Sequence, residues 1–251
     1  KEDLLQDIEN GNFIVCLVPK IDTLTGEVGG AEAVVRYHHK DLGIVDPGRY
    51  LNMLEETKLS HYLDLYVFEE VCKTLHKWEV RDIPMIPVSV NFAGATLRQE
   101  GLADKMLHLI EKHHVRCEYL EVEVSESSSD MNQEMLAETS SKIRKGNVRV
   151  ILDHFGAKDS SFSILSLMEF DGLKLDKSVI SNIVGNGRSR IVAQAVIDIC
   201  RQLGASVQAA GVETQDQFNV LREIGCDYAQ GTLFNKPITI ETFEVRYLRD
   251  R

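Results

Sequence analysis

Short apolar runs alternate with longer amphipathic segments along the whole chain. A continuous apolar run of a few residues, closed by Gly, Pro or a polar residue, is typical of a strand that is buried on both faces. The first run is expected to end at Pro19. In all, the pattern predicts eight strands, at Phe13–Val18, Val28–Tyr37, Ile86–Phe92, Leu120–Ser125, Val148–Asp153, Gly172–Asp176, Ala205–Val212 and Cys226–Gln230.

The segments between these strands have the apolar spacing of helices that pack one face against a core. Asp159 or Ser160 is a candidate cap for one of them, and Gly204 is a candidate C-cap for another. The spacing predicts helices at Lys1–Asn10, Gly48–Leu59, Ser60–Trp78, Leu102–His113, Met131–Lys145, Ser160–Met168, Ser178–Val184, Arg188–Leu203, Thr214–Ile224 and Thr239–Leu248.

Strands that alternate with helices indicate an α/β fold with a parallel sheet. Eight strands in 251 residues favour a (β/α)8, TIM-like barrel, with an open doubly wound sheet as the alternative. A Gly-rich dinucleotide fingerprint after an early strand is lacking, which counts against the open sheet. We expect residues 1–251 to form a single domain. Because the sequence begins with Lys1 instead of Met, we expect that domain to be part of a larger protein.

The composition narrows the range of partners. The formal net charge of −11 argues against a nucleic-acid polymer but leaves a small nucleotide open. Five cysteines are far apart and without a CxxC pair, so we expect buried thiols in a reducing compartment. Apolar runs are too short to span a bilayer, so no membrane contact is expected from this domain. We expect a cytoplasmic domain, whose parent protein can still be membrane-anchored.

Polar residues stand in or just after most of the apolar strands. In a barrel the carboxyl ends of the strands share one site, and burying isolated polar groups is costly, so these residues are expected to cluster. Three carboxylates and an Asn would suit Mg²⁺, Mn²⁺ or Ca²⁺, and Lys174 with Arg36 could hold phosphate. The residues are Glu32, Asn91, Glu123, Asp153, Lys174, Glu213 and Gln230.

Each of these residues also has a structural explanation. Glu32 and Arg36 could form a partly buried ion pair, Glu123 could be a solvated edge residue, and Lys174 could be a barrel-interior cation paired with Asp153. Asn91 could satisfy the backbone at a strand end, and Gln230 could belong to a turn. Only their recurrence at successive strand ends favours a functional site.

Seven ordered segments resemble the EAL domain family of bacteria: GGAEAVVRY, PVSVNFA, YLEVEVSES, VILDHFGAKDSSFSIL, FDGLKLDKS, AAGVET and AQGTLFNKP. The resemblance implies a modified barrel whose first strand is antiparallel to the others. It implies hydrolysis of cyclic di-GMP to pGpG with Mg²⁺ or Mn²⁺, and inhibition by Ca²⁺. It implies catalytic roles for Lys174 and Glu213, ligand binding by Arg36, Asp176 and Gln230, and metal ligation by Glu32, Asn91, Glu123 and Asp153.

The chain departs from the family pattern at several positions. His154 stands where the family has the second of two adjacent aspartates, and Ala210 stands where it has a glutamate that acts on the metal or as general base. Val34 replaces the signature leucine, Val18 replaces a glutamine, and Lys158 replaces a glycine. Because Ala210 can neither bind a metal nor move a proton, we predict a catalytically degenerate member of the family.

Three functions stay open on the sequence alone. The domain could be a receptor that binds cyclic di-GMP without cutting it, or a slow phosphodiesterase that uses one metal ion. It could also be a protein-interaction module that no longer binds a nucleotide. The resemblance further implies fused signalling domains and a homodimer formed through Ala157–Leu167, where Ser161, Phe162 and Ile164 lie.

Overall fold

A computed structural model describes residues 2–39, 43–45, 47–125, 132–158 and 160–249. The predicted cap Asp159 and the predicted helix start Met131 lie outside the described residues. The strands are β1 (Phe13–Asp22), β2 (Val28–His39), β3 (Gly43–Val45), β4 (Val88–Asn91), β5 (Leu120–Ser125), β6 (Arg149–Phe155), β7 (Gly172–Leu175), β8 (Ser206–Ala209), β9 (Tyr228–Ala229) and β10 (Ile238–Thr239).

The helices are α1 (Glu2–Glu9), α2 (Pro47–Glu56), α3 (Ser60–Val80), α4 (Gly94–Leu97), α5 (Leu102–Lys112), α6 (Gln133–Lys145), α7 (Ile164–Leu167), α8 (Lys177–Ile180), α9 (Gly187–Leu203), α10 (Gln215–Glu223) and α11 (Ile240–Phe243). A 3₁₀ turn at Cys117–Tyr119 and a π-helical turn at Glu244–Leu248 complete them. Gly204 ends α9 in the left-handed conformation, as predicted, and Thr214 caps α10 in a capping box.

Eight of the strands close into a barrel, because β1 pairs with both β2 and β9. Strands β2 and β4–β9 run parallel to one another, whereas β1 is antiparallel to its neighbours β2 and β9. The modified (β/α)8 barrel with an antiparallel first strand is therefore confirmed. The sequence did not predict two short strands, β3 with three residues and β10 with two.

The predicted end of the first strand at Pro19 is wrong, because β1 continues to Asp22. Pro19 lies opposite Ala31, and the Ala31 N–H points away from β1, to the Pro87 carbonyl. On its other side β1 pairs with β10 at Cys16 and Leu17 and with β9 only from Ile21. The missing N–H of Pro19 thus falls in a gap between two ladders, where it costs no hydrogen bond.

Apolar side chains that point outward from the barrel pack against the surrounding helices. Trp78 of α3 is fully buried, and its indole Nε1 donates to Glu244 at 3.0 Å. Four of the five cysteines are buried as expected, but Cys117 is only half-buried. None of the helices in the described part of the chain is long and apolar enough to cross a bilayer.

Candidate functional site

The carboxyl ends of the parallel strands open into one cavity of about 790 Å³. Because β2 and β4–β9 point the same way, their end residues converge at this mouth. Of the residues that the sequence proposes for the site, seven line the cavity: Glu32, Arg36, Asn91, Asp153, Lys174, Asp176 and Gln230.

Lys174 lies at the floor of the cavity with carboxylates around its ammonium. Its Nζ is 2.8 Å from Glu32 Oε2, 2.7 Å from Glu123 Oε2 and 3.8 Å from Asp153 Oδ2. Burial lowers the pKa of Lys174, but the surrounding carboxylates outweigh burial and hold it well above its usual value. Lys174 is therefore a fixed positive charge among three carboxylates at the cavity floor.

Glu32 is held at the centre of the polar floor. Its Oε1 accepts from Asn91 Nδ2 at 2.6 Å, and its Oε2 accepts from Gln230 Nε2 at 2.6 Å as well as from Lys174. Within the described residues Glu32 pairs with Lys174, so the alternative ion pair with Arg36 is not what forms. The Gln230 Oε1 atom is buried without a partner among the described residues, which leaves an acceptor free at the floor.

Glu123 lies below the other candidates and outside the set of described residues that line the cavity. It is 1 % exposed, so the alternative of a solvated edge residue is wrong. Its Oε1 accepts from Ser89 Oγ at 2.5 Å and lies 3.2 Å from Lys20 Nζ. Burial raises the pKa of Glu123, but Lys174 and Lys20 outweigh it and lower the pKa to about 2.

Asp153 and His154 form one wall of the cavity. Burial raises the pKa of Asp153 to about 6, against the lowering effect of Lys174. His154 has a positive φ of 58°, and its side chain is 57 % exposed. Its Nδ1 lies 3.2 Å from Asp176 Oδ2, and its Nε2 lies 3.6 Å from Asp153 Oδ2. The imidazole thus bridges two acids at the rim.

The raised pKa of Asp153 predicts a pH-dependent stability. Below about pH 4 the carboxyl is protonated in both folded and unfolded states, and above about pH 6 the folded state carries an unfavourable buried charge. Asp153→Asn removes this cost and keeps an acceptor for the His154 N–H. We expect the variant to be more stable than the parent by about 1 kcal/mol or more at pH 8, and not at pH 4. Urea unfolding at both pH values measures this; a constant difference would contradict it.

The remaining predicted residues lie in different places. Arg36 lines the cavity and donates from Nη1 to the Val35 carbonyl at 3.0 Å. Asp176 accepts from the Ser178 N–H at 2.8 Å, which caps α8. Glu213 is exposed and lies outside the described residues that line the cavity. Its position therefore gives no support to the predicted catalytic role.

The substituted positions fall mostly inside the site. Ala210, Val18 and Val34 line the cavity beside His154, whereas Lys158 is exposed and lies outside the described lining residues. Ala210 is half-buried, and its N–H donates to the Leu175 carbonyl at 3.0 Å. The two acids that the family resemblance leads us to expect would therefore both have faced the cavity.

The oxygen donors of the floor have the chemistry that Mg²⁺ and Mn²⁺ prefer. As arranged, however, the carboxylates of Glu32, Glu123 and Asp153 surround the Lys174 ammonium. Among the described residues, no group of three His, Cys, Asp or Glu side chains is placed to hold a metal ion. These side chains do not fit a metal ion in this arrangement.

Residues 1–237 match the family model described as "EAL domain". The chain belongs to the EAL domain family. This EAL domain is 30% identical over 244 residues to Cyclic di-GMP phosphodiesterase NbdA of Pseudomonas aeruginosa. The matched region covers 97% of this chain and 31% of NbdA. It is 31% identical to Signaling protein YkoW of Bacillus subtilis, over 96% of the chain and 30% of YkoW.

A solved structure agrees with the assignment. The structure titled "PaMucR Phosphodiesterase, c-di-GMP complex" superposes with a TM-score of 0.88 at 26% identity, over 96% of this chain and 98% of that one. This EAL domain spans about a third of the length of the curated relatives named above.

Sequence reasoning missed the lower part of the site. Lys20 contacts Glu121 and Glu123 inside the barrel, and the partly exposed Arg149 contacts Glu121 from the other side. A signal existed, because Glu121 and Glu123 share one face of β5 by alternation. Two buried acids on one face require cations, but Lys20 follows the predicted strand end at Pro19, so the sequence did not place this lysine in the barrel.

Proposed function

We propose that this chain is a catalytically degenerate EAL domain that binds cyclic di-GMP without hydrolysing it and acts as a receptor. One observation carries the proposal. The cavity keeps the side chains that the family resemblance assigns to ligand binding, while His154 and Ala210 stand in it at the positions of two expected acids. The names of the relatives, a cyclic di-GMP phosphodiesterase and a cyclic di-GMP complex, support the choice of ligand.

The chemistry of the lining suits a cyclic dinucleotide. Arg36 and the Lys174 ammonium offer positive charge to the phosphodiester groups. Asp176 at the rim offers carboxylate oxygens to the N–H donors of a guanine edge. Because Lys174 already occupies the carboxylates that could hold a metal ion, we expect binding without one.

The lost acids explain why we propose binding without turnover. A positioned general base contributes about 10²–10⁴-fold to a rate, and a methyl side chain at Ala210 supplies none of it. His154 contacts Asp153 and Asp176 at the rim and supplies no carboxylate of its own there. Glu32, Glu123 and Asp153 must also lose their contacts with Lys174 before they can bind Mg²⁺ or Mn²⁺.

Calorimetry with cyclic di-GMP tests the proposal. We expect binding with a Kd in the micromolar range or below, equal within about threefold in Ca²⁺ and in EDTA, since a threefold change is only ~0.6 kcal/mol. Arg36→Ala should weaken binding by about tenfold or more, the scale of ~1.4 kcal/mol for one lost charged contact. Arg188→Ala on the exposed start of α9 is the matched control and should bind as the parent does.

Other outcomes would point to the alternative functions. Absence of binding heat at micromolar protein and ligand would refute the receptor and favour a protein-interaction module. Conversion of cyclic di-GMP to pGpG in Mn²⁺ at an ordinary enzymatic rate, about 1 s⁻¹ or more, would refute degeneracy and identify a phosphodiesterase.

We further propose that the domain forms a homodimer and belongs to a larger, cytoplasmic signalling protein. Phe162 is 59 % exposed and Leu167 is 49 % exposed, which supports a contact surface in the predicted region. Ile164, which was also predicted there, is fully buried and cannot take part. The larger size of the relatives supports the fused architecture.

A further inference from the structure

A chain of alternating charges runs up the inside of the barrel and ends at the cavity floor. Each neighbouring pair is in ion-pair contact: 2.8 Å from Arg149 to Glu121, 3.1 Å on to Lys20, 3.2 Å to Glu123, 2.7 Å to Lys174 and 2.8 Å to Glu32. We call these six residues the ion chain. Its lower members lie outside the described residues that line the cavity.

Lys20 is the link between the lower and upper parts of the ion chain. Its side chain is 3% exposed, and it lies opposite Gly30, which has no side chain to fill the space. Burial lowers the pKa of Lys20, but Glu121 and Glu123 outweigh burial and raise it, so Lys20 stays charged. A buried cation in this position neutralises two carboxylates at once.

The contacts of Glu123 show how Lys20 reaches the site. Lys20 and Ser89 hold one carboxylate oxygen of Glu123, and Lys174 contacts the other. Without Lys20, the unbalanced charge of Glu121 and Glu123 would pull Lys174 down and away from Glu32, because attraction between buried charges is strong. The position of the Lys174 ammonium in the cavity therefore depends on a residue that lies outside the described cavity lining.

We propose that Lys20 is a positioning residue of this site, which holds Glu123 from below and thereby keeps the Lys174 ammonium at the cavity floor, where it meets an anionic phosphodiester ligand. This inference rests on the proposed function for the identity of the ligand. The positioning itself concerns only the protein and can be measured without ligand.

The first test measures affinity for cyclic di-GMP by calorimetry. Lys20→Met should raise the Kd by about tenfold or more, and Lys20→Met/Glu121→Gln should bring it back to within about threefold of the parent, because the second change restores the charge balance. Lys77→Met is the matched control, since it breaks the Lys77–Glu244 ion pair of 2.8 Å far from the cavity. A loss that Glu121→Gln does not rescue would assign Lys20 a packing role and overturn the proposal.

The second test uses the ¹H–¹⁵N NMR signal of the Lys174 ammonium in the protein without ligand, assigned by its loss in Lys174→Gln. Lys20→Met should shift this signal, and Lys77→Met should leave it unchanged. An unchanged signal in Lys20→Met would overturn the positioning role. If the parent fails to bind cyclic di-GMP, the proposed function fails, and the NMR signal still decides the role of Lys20.

Discussion

The double variant His154→Asp/Ala210→Glu should hydrolyse cyclic di-GMP to pGpG at least about 10²-fold faster than the parent, the scale of one restored general base. Both positions line the cavity, so the new carboxylates would face the ligand and add metal-binding charge that competes with Lys174. Aspartate suits the positive φ of 58° at position 154, because Asp and Asn are enriched in that region. Chromatographic separation of pGpG in Mg²⁺ or Mn²⁺ measures the rate.

A matched double variant controls for the change in charge. His108→Asp/Ala195→Glu makes the same two substitutions at exposed positions of α5 and α9 and should leave the rate at the parental level. If the cavity variant folds and binds cyclic di-GMP but gains no activity, the two substitutions do not account for the degeneracy.

Of the variants described here, Lys174→Met should lose the most free energy of unfolding. Removing one partner of a buried ion pair costs about 3–5 kcal/mol, because the remaining charges stay buried without compensation. In the parent, Lys174 and Lys20 hold the pKa of Glu123 at about 2 against burial, so this carboxylate stabilises the fold at all pH values above its unfolded pKa. In the variant, burial instead raises the pKa of the carboxylates, and they take up protons as the pH falls.

The loss should therefore be greatest near pH 8 and smaller near pH 5, as measured by urea unfolding at both pH values. Lys73→Met is the control, because Lys73 pairs with Glu70 on the surface of α3 and its side chain is 48% exposed. Its loss should stay within about 0.5 kcal/mol. A loss for Lys174→Met that is the same at both pH values would show that the carboxylates do not carry the effect.

The resemblance and the hydrophobic pattern together predicted the barrel and most of its site. Strand and helix positions follow from local periodicity, and the direction of a parallel strand tells which of its ends faces the mouth. Asn91, Asp153 and Gln230 could therefore be assigned to one cavity from residue identity and strand position alone. The short strands β3 and β10 could not be predicted, since two or three residues carry too little pattern.

Depth along the barrel could not be predicted, because it depends on the register of strands that are far apart in the chain. Glu123 looks equivalent to Glu32 in the sequence, yet it lies below Lys174 with both oxygens occupied. The pairing of Val18 with Glu32 and of Lys20 with Gly30 places Lys20 one step further from the cavity. Because β1 runs antiparallel to β2, the chain moves away from the cavity between Val18 and Lys20.

The sequence by itself determined the family, the approximate positions of the eight barrel strands along the chain and the replacement of two acids by His154 and Ala210, since these follow from residue identity and local pattern. The tertiary structure decided which charged side chains are in contact. It placed Lys174 among three carboxylates, joined it through Glu123 to Lys20, and left Glu213 outside the cavity lining of the described chain. Ion-pair geometry is set by distances between strands, and no single stretch of sequence encodes those distances.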